Sequence, residues 1–143
     1  MKPELRLVPA PTGINAEFYA FCAAGELRFQ RCSDCHAWRH PPRYRCGACG
    51  ADRWSWERSS GTGRVFSYTI THQALDPAYA DELPYAVLVV VLDEGPRVVG
   101  NLRDLPPADL TLDLPVEVVF ERLSDTVGLT HFRPQVGPGS APR

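Results

Sequence analysis

Cys32-Ser33-Asp34-Cys35 and, ten residues further on, Cys46-Gly47-Ala48-Cys49 decide how this 143-residue chain is read. A CxxC pair folds as a tight knuckle with both thiolates facing one way. Two opposed knuckles place four sulfurs about 2.3 Å from a tetrahedral Zn²⁺. Four thiolates fill the coordination shell, so the expected zinc is structural; a catalytic zinc keeps one position for water. His36 and His40 are close by and surplus to the tetrad. Spacing alone leaves open two disulfides, or iron in the same cage.

Working outward, the ten residues between the knuckles include Arg39, Arg43 and Arg45 around Pro41-Pro42. One reading has these guanidinium groups offset the charge of a Zn(Cys)₄ centre and hydrogen-bond its sulfurs; the other turns some outward to bind phosphate. Upstream, Leu27-Arg28-Phe29-Gln30-Arg31 alternates apolar and polar into Cys32 and predicts a first ribbon strand. Before it, Phe18, Phe21 and Cys22 recur at helical spacing between Asn15, an N-cap candidate, and Gly25, a C-terminal stop. The aromatics of so short a helix must pack on the ribbon or on another chain. Cys22, the fifth cysteine, is read as a buried packing residue. Pro3, Pro9 and Pro11 make residues 1–13 an extended arm.

Downstream, Trp54 to Glu57 closes the ribbon and Ser59 to Gly63 forms a polar joint. Arg64 to Gln73 alternates, placing Phe66, Tyr68, Ile70 and His72 on one face. Tyr85 to Leu92 is a continuous apolar run, expected to be buried on both faces. It turns at Asp93-Glu94-Gly95-Pro96 into a return strand, Arg97 to Leu102. Val116 to Glu121 and Gly128 to Phe132 complete five strands, the pattern of a small closed barrel of the OB type. The expected fold is mainly β, in four parts: arm and helix 1–25, zinc ribbon 26–60, OB-fold 61–134 and a disordered Gly/Pro/Ser tail 135–143.

Net charge is −2 with a pI near 6.1, so no overall basic excess favours nucleic acid or anionic membrane. The charge is unevenly spread: residues 1–60 carry nine Lys/Arg against six Asp/Glu, residues 61–143 six against eleven. Neither a secretory leader nor a membrane span is visible, and the expected location is cytoplasmic, where reduced thiols favour metal over disulfide.

The stretches Phe18-Tyr19, Gly25-Glu26-Leu27, Gln30-Arg31-Cys32, Pro41-Pro42-Arg43, Ser60 to Val65, Pro84 to Val87, Leu92 to Gly95 and Pro115 to Phe120 occur in order. Together with the tetrad they resemble a family of acyl-CoA-associated proteins, over residues 14–134. In that family a short helix and a rubredoxin-like zinc ribbon precede an OB-fold. Ala48 stands where the family usually has proline, and Asp113 near a frequent glycine.

The resemblance implies an accessory, non-catalytic subunit of a hetero-oligomer, joined to a thiolase-like, aldolase or enoyl-CoA hydratase partner whose acyl-CoA channel it helps to form. On that reading Arg31, Arg39 and Arg43 supply cations for the phosphates of CoA, and Phe18, Tyr19 and Trp38 wall the channel. The alternative is nucleic-acid binding with Phe66 and Tyr68 as stacking platforms, against which the acidic barrel half argues. Independent catalysis by His72, His131, Ser67 or Asp76 lacks any nucleophile motif, and Ser67 and His72 fall on opposite strand faces.

Overall fold

The computed structural model describes residues 7–136. One helix, α1 (Gly13–Ala23), precedes eight strands: β1 (Arg28–Cys32), β2 (Trp38–Arg39), β3 (Trp54–Arg58), β4 (Thr62–Thr71), β5 (Tyr85–Leu92), β6 (Arg97–Leu102), β7 (Pro115–Arg122) and β8 (Gly128–Pro134). The first three form a sheet in the order β2-β1-β3, and the other five close a barrel in the order β4-β5-β6-β8-β7. The mainly β architecture of helix, ribbon and five-stranded OB barrel is therefore as the sequence predicts.

Helix α1 starts three residues earlier than an N-cap at Asn15 implies. Thr12 is the N-cap residue, without a side-chain cap, and Asn15 lies exposed in the first turn. At the other end the N–H of Glu26 reaches the Phe21 carbonyl (2.9 Å) and that of Gly25 reaches Cys22 (3.0 Å). This pairing stops a helix when the residue after its cap takes a left-handed φ, as Gly25 does at 79°. Ile14, Phe18 and Cys22, spaced by four, form the buried face. Phe18 packs against Phe29, and Phe21 against Trp56, so the helical aromatics are covered by the ribbon.

A single apolar cluster runs from α1 and β1 (Phe18, Cys22, Leu27, Phe29) into the barrel (Val65, Leu88, Val90, Val116, Phe132). Two strands depart from simple alternation. In β4 a bulge between Val65 and Ser67 makes Phe66 the extra residue; Val65 and Tyr68 face the core while Phe66 is turned out and half-exposed. Phe66 and Tyr68 therefore do not share a face. In β5, Ala86, Leu88, Val90 and Leu92 point inward, but Val87, Val89 and Val91 are only half-buried on the outside. The expected burial of this strand on both faces does not hold within the monomer. Gln135 belongs to the barrel, donating to Val116 (3.0 Å). Residues 1–6 of the expected arm and 137–143 of the expected tail lie outside the described residues.

Candidate functional site

The two knuckles are near copies of each other. The Cys32 N–H donates to Ala37 and the His36 N–H to the Cys32 carbonyl; Cys46, Gly50 and Ala51 repeat both bonds. The fifth residue of each knuckle needs a left-handed backbone, supplied by Gly50 (φ 77°) and, in the first, by His36 (φ 65°). His36 is thus a turn residue with an exposed side chain.

This geometry brings all four sulfurs within 4.8 Å of one another. The Cys32–Cys49 and Cys35–Cys46 Sγ separations are both 3.6 Å, and none of the cysteines is in a disulfide. A tetrahedron with metal–sulfur bonds of about 2.3 Å has edges of about 3.8 Å, so the cage fits a zinc-sized ion. The N–H groups of Cys49 and Ala48 donate to Cys46 and hold its thiol down to about 6. Those of Cys35 and Asp34 lower Cys32 against its burial. Cys35 and Cys49 receive one N–H each, from Ala37 and Ala51, which does not offset burial and the neighbouring sulfurs. Both are raised, Cys49 to about 12. Four thiolates this close need a cation between them. No arginine among the described residues donates to a sulfur, so the backbone fills the role that the sequence reading offered to the arginines.

Those arginines have separate fates. Arg39 is buried across the Trp54 ring, its Nε donating to Gln30 (3.1 Å) and its Nη2 to the Arg43 carbonyl (3.0 Å). Arg31 lies over Trp38, donating to the His36 carbonyl and pairing with Glu57 at 3.2 Å. Arg45 donates to the Gly50 carbonyl. Arg43 alone has its backbone clamped and its side chain exposed. Gln30, fully buried, accepts the Arg43 N–H (2.7 Å) and donates to its carbonyl (2.9 Å), aiming the side chain outward. Alternation along β1 gave no sign that Gln30 would be the loop's anchor.

Arg43 borders a cleft of about 530 Å³ between the second knuckle and the β5–β6 turn, which also holds Trp38, Arg39, Gly47 and Arg97. A second cleft of about 400 Å³ lies between α1 and the outer edge of β6 and β8; Phe18, Tyr19, Leu129 and His131 line it. His40 and Arg97 border both, so the two are successive parts of one groove along the seam between ribbon and barrel. The expected ligand-binding residues divide accordingly. Trp38, Arg39 and Arg43 meet in the first part, Phe18 and Tyr19 in the second, and Arg31 in neither. Phe18 is mostly core, with only its edge on the groove. Arg97 was read only as the start of a return strand; outward alternation was its one signal. His40, packed between Phe18 and Phe29, is pushed by burial down to about 4 and is neutral. Cys22 is raised to about 12 by burial, an inert thiol within the core.

The residues considered for independent catalysis are dispersed. Asp76 caps a 3-10 turn by accepting the Ala78 N–H, and His72 is exposed beyond the end of β4. His131 is buried on β8 with its Nε2 2.9 Å from Glu121 and 3.3 Å from the Arg103 guanidinium.

Two family descriptions match in sequence order: a "ChsH2, rubredoxin-like zinc ribbon domain" over residues 20–55 and a "ChsH2, C-terminal OB-fold domain" over residues 56–121. The chain belongs to the ChsH2 family. Its ribbon is that family's structural zinc module, and the cysteine tetrad is the one cluster of metal-binding geometry among the described residues. The chain is 37% identical over 136 residues to a probable enoyl-CoA hydratase alpha subunit of Thermomonospora curvata, covering 94% of this chain but 42% of that one. It is 31% identical to a DUF35 domain-containing scaffold protein of Methanocaldococcus jannaschii, covering 66% and 67%. Among solved structures, the Ltp2-ChsH2(DUF35) aldolase superposes with a TM-score of 0.80 at 36% identity, covering 88% of this chain and 98% of that one. The chain thus spans about two-fifths of the hydratase subunit that it matches. Among the described residues no helix is long and apolar enough to cross a membrane.

Proposed function

We propose that this ChsH2-family chain is an accessory subunit of an acyl-CoA enzyme, cytoplasmic and without catalytic groups of its own. Cys32, Cys35, Cys46 and Cys49 ligate its structural zinc, and the seam groove holds part of the CoA ester. The partner is a hydratase, an aldolase or a thiolase-like subunit. The observation that carries this reading is the groove: an end with Arg39 and Arg43, where three arginines outnumber the one carboxylate, Glu94, continues past His40 and Arg97 into an end walled by Phe18, Tyr19 and Leu129. A CoA ester has this polarity, with phosphates at one end and an acyl chain at the other. The guanidinium fork suits phosphate oxygens, and the combined volume suits an extended ligand. Arg39, tied to Gln30 and Arg43, supports the cationic end from behind. The relatives support the same reading, since one is named a hydratase subunit and another was solved with an aldolase.

Arg64 and Arg97 do project from the barrel face, the latter over Phe66 at 3.9 Å, which is the observation that favours nucleic acid. Two cations at one end of a face whose other residues, Phe66 included, are uncharged do not track a phosphate backbone.

The test is recovery of the tagged intact chain from its native lysate, with mass-spectrometric identification of what accompanies it. A hydratase, aldolase or thiolase-like subunit in near-stoichiometric amount is expected. Nucleic acid with its processing proteins, or the chain alone, would overturn the reading.

A further inference from the structure

We propose that the outer face of β4, β5 and β6 is where the partner subunit docks, through an apolar surface edged by carboxylates; this rests on the function proposed above. Registered cross-strand partners share one face of a sheet. Three rows therefore lie side by side on the outside of the barrel: Arg64–Val91–Arg97, Ser67–Val89–Val99 and Thr69–Val87–Asn101. Phe66, turned out by the bulge, stacks on Arg97 at the first row. Val99 is 61% exposed and Phe66 49%. The outer face of a solvated antiparallel strand is ordinarily polar, yet β5 presents three consecutive outward valines. Each gains from being covered in proportion to the apolar area that it still exposes.

Charge selects the occupant. Residues 61–143 carry eleven carboxylates against six cations, but none of those carboxylates lies in these three rows, and two arginines do. A second copy of this chain would meet the face with its own arginines and valines and bring no acid to Arg64 or Arg97. Nucleic acid needs cations along the whole path, and the middle and last rows have none. A foreign protein surface with an apolar centre and acids opposite the first row satisfies both ends of the face. Val99 and Asn101 also border the seam groove, so a subunit seated here closes over it.

A photo-crosslinking residue placed at position 99, or for comparison at exposed Arg53 on the ribbon, tests the face in the tagged full-length chain irradiated in native lysate. The expected result is a covalent adduct between position 99 and the acyl-CoA enzyme subunit that co-purifies, with no such adduct from position 53. Val89→Asp and Val99→Asp should each lower recovery of that subunit at least tenfold while zinc content and circular dichroism stay unchanged. A subunit that co-purifies but links only from position 53, a position-99 adduct with a second copy or with nucleic acid, or undiminished recovery with both variants overturns the docking face alone. If no acyl-CoA enzyme subunit co-purifies at all, the proposed function fails and this inference fails with it.

Discussion

Asp113 adopts a left-handed backbone (φ 63°) in the connection leading into β7, a conformation that costs most L-residues about 1–2 kcal/mol. Its N–H donates to the Val65 carbonyl and its own carbonyl accepts from Arg64, bonds that glycine would keep. Asp113→Gly is therefore expected to leave urea-unfolding stability unchanged or to raise it by up to about 1 kcal/mol, because the relief of strain is set against the extra unfolded-state entropy of glycine. A clear loss would assign the aspartate side chain a role. A second single residue gives the fold a pH dependence. His40 is held neutral down to about 4 by burial, whereas an unfolded histidine takes up its proton near 6.5. Since the unfolded state binds the extra proton between these values, this contribution is complete above about pH 6.5 and is lost as the pH falls toward 4. Each unit of depression is worth about 1.4 kcal/mol. In His40→Phe, which keeps an aromatic ring between Phe18 and Phe29, the stability difference from wild type should shift in the variant's favour between pH 7 and pH 5. A constant difference would mean that His40 titrates normally.

At the scale of elements, α1 is seated on the start of β8 through bare backbone. A Cβ on Gly128 would lie 2.5 Å from the Ala23 nitrogen and the Cys22 carbonyl carbon, atoms that cannot give way without moving the helix. Gly128→Ala should cost about 2 kcal/mol or more and expose the apolar face of α1, read by thermal unfolding and dye binding. An unchanged melting temperature would show that the helix rides loosely. The ribbon depends on its metal in the same direct way. Cys32→Ala or Cys49→Ala should abolish stoichiometric zinc and unfold residues around both knuckles, because structural zinc contributes its binding free energy to folding. Assembly retained without metal would refute this.

The sequence was most legible where chemistry is periodic or invariant in spacing. The CxxC pairs placed the tetrad, the turn at residues 93–96 placed β6 residue for residue, and alternation placed most of β7. It was least legible where one residue breaks a period or where a polar side chain is buried for a remote partner. The bulge turned Phe66 out and Val65 in relative to the rest of β4, and Gln30 looked like an ordinary polar strand position although it clamps the Arg43 loop. The close approach at Gly128 depends on two segments more than a hundred residues apart, which no local pattern records.

For the whole molecule, the ribbon and barrel share one core, so the seam between them is a fixed groove. A carboxylate also locks their joint: Glu94 accepts the Ser59 hydroxyl at 2.5 Å and the Ser60 N–H at 2.9 Å. Gln30 and Arg39 hold the backbone of Arg43 beside the second knuckle, while its side chain stands exposed at the groove's cationic end and takes no part in those bonds. That separation makes the central claim testable without disturbing structure. The decisive measurement is calorimetric titration of the purified assembled complex with a CoA ester, comparing wild type with Arg43→Ala at equal zinc content. Loss of one charge-assisted phosphate contact predicts roughly tenfold weaker binding, with assembly and metal unchanged. Equal affinity for the two proteins would contradict a groove on this chain that holds the phosphates of CoA.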